Sequence, residues 1–203
     1  MKSASVRLVA CVVVVLGALT GGCGGRTPVG APTSTPTSAL DTRSSPLLSL
    51  ISHGEAAGVI FFADNISSDE QIRDVIKALN AAAATSENPT RAPLLLMVDQ
   101  EGGEIRHLPG EPLLSQKEIG RSADPAAQAT KAGTEAALNL RGLGMNVNLA
   151  PILDVYRTPG DFADQYERSY SSDPDVVSDL GARFIDAQQQ QGVAAAAKHF
   201  PGL

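Results

Sequence analysis

Leu94-Leu95-Leu96-Met97-Val98-Asp99-Gln100-Glu101-Gly102-Gly103 is the stretch on which the fold turns. Five apolar residues without a polar interruption suit a strand buried on both faces, as strands of parallel sheets are. The carboxylates and the paired glycines arrive where such a strand would end, and glycine lets the backbone turn sharply and a ligand approach it closely. A second stretch has the same build: Val193 to Ala197, apolar and made of small residues, leads into Lys198-His199-Phe200-Pro201-Gly202.

Between and before these stretches, strand and helix patterns alternate. Ala57 to Phe62 is a short apolar run, followed by Ser67-Ser68-Asp69-Glu70, which has the form of a helix N-cap with an acid three residues on. Ile72, Val75, Ile76 and Leu79 then recur at helical spacing. A helix is predicted after Asp124-Pro125, with proline at its first position, then a strand over Met145 to Leu149. A third helix begins near Pro174, sets Val177, Leu180, Phe184 and Ile185 on one side, and stops at Gly192. Leu47-Leu48-Ser49-Leu50-Ile51 is a weak candidate for one more strand at the front. No internal repeat is visible.

This alternation predicts an α/β fold with a parallel sheet. A doubly wound sheet and a (β/α)8 barrel both satisfy it. Polar and charged residues placed directly after each strand end favour the barrel, which builds its sites there. About four strand-helix units are present, and a full barrel of this type takes about 250 residues. The expectation is therefore a partial (β/α)8 TIM barrel over residues 46–203.

The N-terminus reads differently. Lys2 and Arg7 accompany an apolar run from Leu8 to Leu19, too short for a stable membrane span, which is the build of a secretory signal over residues 1–22. Leu19-Thr20-Gly21-Gly22-Cys23 resembles a bacterial lipobox, in which the cysteine is acylated, although Thr20 stands where leucine is usual. Leu8-Val9-Ala10-Cys11 fits letter by letter but leaves no apolar run before the cut. The expected product is lipidated at Cys23, exported and held on the outer side of the cell membrane; the alternative is a plain secretory signal with Cys23 an idle thiol. Residues 23–45 are rich in Gly, Pro, Thr and Ser, a composition that buries too little surface to offset the entropy of ordering and reads as an extended tether.

Both cysteines are then accounted for, so the fold is expected to stand without disulfides. The formal charge is -6, and removing Lys2 and Arg7 makes it -8. An acidic chain of low aromatic content without a basic run argues against nucleic acid as a partner. Neutral or weakly charged glycans fit better.

Four motifs, in order, carry a resemblance: Val98-Asp99-Gln100-Glu101-Gly102-Gly103; Asn148-Leu149-Ala150-Pro151-Ile152-Leu153-Asp154; Arg168-Ser169-Tyr170-Ser171-Ser172-Asp173-Pro174; and Lys198-His199-Phe200-Pro201-Gly202. From about Leu47 onward the chain resembles the first domain of glycoside hydrolase family 3, in particular its bacterial β-N-acetylhexosaminidase branch. The resemblance implies a glycosidase that hydrolyses O-glycosyl bonds, acting on β-N-acetylglucosaminides of cell-wall fragments, in carbohydrate metabolism or cell-wall recycling. It assigns Asp99, Arg168, Lys198 and His199 to substrate binding. A carboxylate holds adjacent hydroxyls strongly, and a lysine point charge beside a histidine donor and acceptor reads hydroxyls on one ring.

Each assignment has a plainer alternative: Asp99 as a carboxylate capping a loop, Arg168 as a solvated loop arginine, His199 as a satisfied core residue. Glu101 is expected to pack structurally against its loop, Asp154 to order a neighbouring loop, and Glu104 to sit on the outer side. Family members typically carry arginine eight residues after the motif aspartate, where this chain has His107, with Arg106 one place earlier; either is the candidate for that contact. Leu203 stands where many hexosaminidase members have histidine. The resemblance places the catalytic nucleophile and the acid/base beyond Leu203, so no catalytic residue is expected within this chain, which is read as incomplete and inactive alone. The alternative is a sugar-binding or vestigial lipoprotein that hydrolyses nothing. No cofactor and no protein partner are expected. His53, His107, His199 and Asp99 lack metal-ligand spacing on one element, which argues against a metal site.

Overall fold

The structure is a computed structural model that describes residues 45–85, 87–89 and 92–203. The leader, Cys23 and the tether up to residue 44 lie outside the described residues. Among those described, the order is α1 (Pro46–Ser52), β1 (Gly58–Phe61), a 3-10 turn (Ala63–Asn65), α2 (Asp69–Ala83), β2 (Leu95–Val98), β3 (Gln100–Gly102) and β4 (Ile105–Arg106). There follow α3 (Gln116–Gly120), α4 (Pro125–Leu143), β5 (Val147–Asn148), a 3-10 segment (Phe162–Glu167), α5 (Pro174–Gln190) and β6 (Ala194–Ala195).

Four strands form one sheet in the order β1-β2-β5-β6, every pair parallel. Gly58 to Phe61 pair in step with Leu95 to Val98, Met97 with Val147, and Val147 with Ala194. A bridge between Ile152 and Lys198 continues the last pairing beyond the strands. Each connection returns the chain to the same end of the sheet through a helix, and α2, α4 and α5 pack in that order. This is a partial (β/α)8 barrel.

The caps explain where the helices start. Ser68 accepts from the Gln71 amide (3.1 Å), and Asp124 accepts from Ala127 (3.0 Å) ahead of Pro125. Asp173 accepts from Asp175 (2.9 Å) ahead of Pro174. Each satisfies an amide that the first helical turn leaves without a partner. Gly144 closes α4 at φ 93°, the left-handed conformation that glycine adopts without strain.

Two apolar clusters form the core. One joins α1, β1, α2 and β2 through Ile51, Phe61, Ile72, Leu79, Leu96 and Val98, and reaches Leu140 of α4. The other lies between α4 and α5, where Ala129, Ala132 and Ala136 face Leu180 and Phe184. Burying one such phenylalanine contributes about 1.5–3 kcal/mol. In this second cluster small residues bring the backbones together: a Cβ at Gly133 would collide with the Phe184 carbonyl.

One expectation changes. Leu47 to Ile51 is not a strand but part of α1: Pro46 opens it, and Leu47 and Ile51, four residues apart, turn their side chains into the first cluster. A five-residue apolar run shows no periodicity that separates helix from strand. Strand β2 is buried on both faces except at its start: Leu96 and Val98 are buried completely and Met97 is 9% exposed, whereas Leu95 is 42% exposed.

Candidate functional site

The strand ends deliver charged side chains to one face. Asp99 follows β2 directly, Glu101 lies in β3, Arg168 follows the 3-10 segment after β5, and Lys198 and His199 follow β6. Lys198 forms ion pairs with Asp99 and, at 2.8 Å, with Glu101. Arg168 grips the same Glu101 with two parallel bonds, from Nε at 2.9 Å and from Nη2 at 2.8 Å. Glu101 is 1% exposed, and a buried carboxylate is tolerable only when paired. Two cations hold it. The Glu101 hydrogen bond, reinforced by charge from Glu101, Asp99 and Asp154, holds the Arg168 guanidinium above its ordinary range despite partial burial.

The loop after β2 is tied down before it reaches the cation cluster. Gln100 exchanges backbone bonds with the Asn148 side chain, accepting at 3.0 Å and donating at 3.0 Å, and its own amide braces the backbone at Leu108 and Glu111. Gly102 sits at φ 115°, and a Cβ there would strike the Leu114 carbonyl, so the close turn requires glycine. The β3–β4 hairpin then returns the chain, and the His107 amide donates to the Asp99 carbonyl at 3.2 Å.

A second group stands beside the first. The His199 ring binds Asp154 Oδ2 through Nδ1 at 2.6 Å, and Asp154 Oδ1 accepts from the amides of Leu203 (3.0 Å) and His199 (3.4 Å). A cavity of about 420 Å³ opens here, lined by Leu153, Asp154, Lys198, His199, Pro201 and Leu203. Farther along the loop that carries Asp154, Asp164 forms a buried ion pair with Lys117 of α3, whose ammonium lies 5.0 Å above the Tyr156 ring. Tyr166 and Glu167, at φ 58° and 55°, make a left-handed turn immediately before Arg168, a conformation that costs of order 1–3 kcal/mol and persists where the surroundings enforce it.

The structure thus brings Asp99, Arg168, Lys198 and His199 to one face. The arginine fork faces Glu101 rather than open space, leaving Nη1 with no hydrogen bond among the described residues. Arg106 spends its guanidinium on the Gly103 and Gly110 carbonyls (2.6 and 2.7 Å), while His107 packs edge-on against Phe62. His53 caps the C-terminal end of α1 near Glu87. Among the described residues no three His, Cys, Asp or Glu side chains are grouped to hold a metal ion, and no helix is long and apolar enough to cross a membrane. Sequence reasoning missed the bracing by Gln100 and Asn148, the Lys117–Asp164 pair, and Gln116, which both donates to and accepts from the Ile152 backbone. Only Ser115-Gln116-Lys117-Glu118 carried a signal, a capping box that opens α3.

The chain has relatives among known proteins. Residues 38–203 match the model of the glycosyl hydrolase family 3 N-terminal domain. The chain is 39% identical over 158 residues to an uncharacterised secreted glycosyl hydrolase of Arthroderma benhamiae, covering 77% of this chain and 44% of that one. It is 36% identical to β-hexosaminidase A of Pseudoalteromonas piscicida, covering 81% and 28%. A solved family 3 β-N-acetylglucosaminidase from a Paenibacillus species superposes with a TM-score of 0.69 at 34% identity, covering 81% of this chain and 30% of that one. The chain therefore spans less than half the length of each of these proteins.

Proposed function

The chain belongs to glycosyl hydrolase family 3, and from that membership we propose that its strand-end face is the sugar-holding part of a glycosidase acting on β-linked N-acetylglucosaminides. The observation that carries this reading is the convergence of Asp99, Glu101, Arg168 and Lys198 from separate strand ends. Asp99 supplies an acceptor for sugar hydroxyls, Lys198 and the free edge of Arg168 supply donors, and Glu101 holds both cations in place. The relatives named β-hexosaminidase and β-N-acetylglucosaminidase support the substrate class.

Retaining hydrolysis needs a nucleophilic carboxylate and a proton donor about 5 Å apart across the glycosidic bond. Asp99, Glu101 and Asp154 are each occupied by a cation or by N–H donors, so the proposal gives these residues binding roles and assigns the reacting pair to other residues of the complete enzyme. Uniform binding alone does not raise the rate of the chemical step. The same occupancy favours, as a second reading, a sugar-binding protein without hydrolysis.

The test is calorimetric titration with N-acetylglucosamine alongside a chromogenic β-N-acetylglucosaminide assay. Saturable binding that is lost in Asp99→Ala and kept in Glu104→Ala, at an exposed position, is expected. No saturable binding by the wild-type chain would overturn the proposal. Hydrolysis by this chain that vanishes with Asp99→Ala would place catalysis here and retire the binding-only reading.

The domain plan extends the proposal: a signal over residues 1–22, an acylated Cys23 and a tether to residue 45 that delivers residues 46–203 outside the cell, attached to the membrane. The secreted relative supports export. Lasting attachment takes two acyl chains or more. Detergent phase partitioning of wild type and Cys23→Ala tests it, and equal aqueous partitioning of both would rule out the anchor.

A further inference from the structure

Asp154 is built into the fold more firmly than a loop-ordering carboxylate requires. Its side chain is 1% exposed, and N–H donors meet both of its oxygens. The Ser169 hydroxyl also binds its backbone carbonyl at 2.5 Å. The carboxylate therefore stays fixed beside His199, whose side chain is 34% exposed along the cavity wall.

A carboxylate offers acceptors only, so a 2.6 Å contact with His199 Nδ1 requires the proton to sit on Nδ1. In the neutral ring the hydrogen bond made by one nitrogen dictates the role of the other. We propose that Asp154 is a positioning residue that fixes His199 in the Nδ1–H form, so that Nε2 presents a lone pair to a sugar hydroxyl. This deepens, and rests on, the sugar-holding reading of the face. The neighbouring Lys198 ammonium is purely a donor. Both residues line the same cavity; an Nε2–H ring would add a second donor to it, whereas an Nε2 acceptor gives it both roles that a hydroxyl, which donates and accepts, requires.

The test is nitrogen NMR on the chain with 15N-labelled histidine, the His199 signals being identified by their loss in His199→Asn. In wild type at a pH where the ring is neutral, Nδ1 is expected to carry the proton and Nε2 to be bare; a mixed or Nε2–H ring would overturn the proposal. Asp154→Asn, which replaces an acceptor-only group by one that can also donate, is expected to give a mixed ring and to weaken N-acetylglucosamine binding about tenfold. On adding the sugar, the Nε2 resonance is expected to move more than Nδ1. If calorimetry shows that the sugar binds while Nε2 stays unmoved, the acceptor role is wrong and the sugar-holding reading stands. If calorimetry shows no binding, the sugar-holding reading fails, and the acceptor role with it, although the ring form is still read directly.

Discussion

The α4–α5 contact and the strand-end face are each built around one buried feature, and they solve opposite problems. Between the helices, Gly133, Ala129, Ala132 and Ala136 let Phe184 approach the backbone, and close packing holds the pair together without any charge. At the strand ends, Glu101 is as deeply buried as Phe184, yet it sits among Arg168, Lys198 and Asp99. The apolar contact stabilises by filling space. The ionic one is stable only while every member is present, because a charge without water or a partner is costly. Loss of volume should therefore govern the first region and loss of pairing the second.

The largest effect is expected from Phe184→Ala, which empties the helix contact at a cost of about 3–5 kcal/mol; a loss below about 1 kcal/mol in urea unfolding would show that the helices collapse onto the gap. Next is Glu101→Ala, which strands Arg168 and leaves Lys198 with Asp99 alone. Breaking a buried pair costs about 3–5 kcal/mol, and partial solvation of Arg168 and Lys198 lowers this to roughly 2. Replacing Glu101 and Arg168 together by apolar residues, with Lys198 still paired to Asp99, should recover much of that stability. If the single and double variants unfold at the same urea concentration, pairing is not what governs this face.

Tyr170 sharpens the comparison because it puts a polar atom into the apolar region. It is 2% exposed, and its hydroxyl has no hydrogen-bond partner among the described residues, since the nearby Gln116 amide is engaged by Ile152. Burial drives its phenol well above the ordinary range near 10, with Gln116 offsetting a little. The folded chain thus keeps the proton where the unfolded chain has lost it. Stability present at neutral pH falls as pH rises past about 10. Thermal melts of Tyr170→Phe should match wild type near pH 7 and lose less between pH 9 and 11; identical alkaline losses would show that Tyr170 is not the group responsible. The smallest effect is expected at Arg183, paired with Asp179 at 2.8 Å on the exposed side of α5. Arg183→Ala should leave the melting midpoint unchanged, since exposed pairs contribute little, and a clear drop would blur the line between the regions.

The same contrast explains what could be read from residues alone. Ile72, Val75, Ile76 and Leu79 announced α2 because a helix repeats its buried face locally, and Ser68, Asp124 and Pro174 marked helix starts by chemistry confined to one turn. Leu47 to Ile51 offered too few residues for a period to show. Glu101 and Arg168 are 67 residues apart and Asp99 and Lys198 are 99 apart, and no local pattern ties such residues together. The resemblance to family motifs gathered them onto one face. It left unspecified that Arg168 would face Glu101 and that His199 would face Asp154, because those pairings depend on where the loops after β5 and β6 come to lie.

One consequence of the strand-end cluster concerns the solution around it. Asp99 and Glu101 carry two negative charges, Arg168 and Lys198 two positive ones, and the four side chains together sum to zero. An uncharged sugar entering there exchanges hydrogen bonds without displacing counterions, so its affinity should hardly change as ionic strength is raised through the range in which exposed charges become screened. A ligand bearing a carboxylate or phosphate would meet no net attraction from these four groups. The face would then discriminate by the directions of its hydrogen bonds rather than by the sign of a ligand's charge.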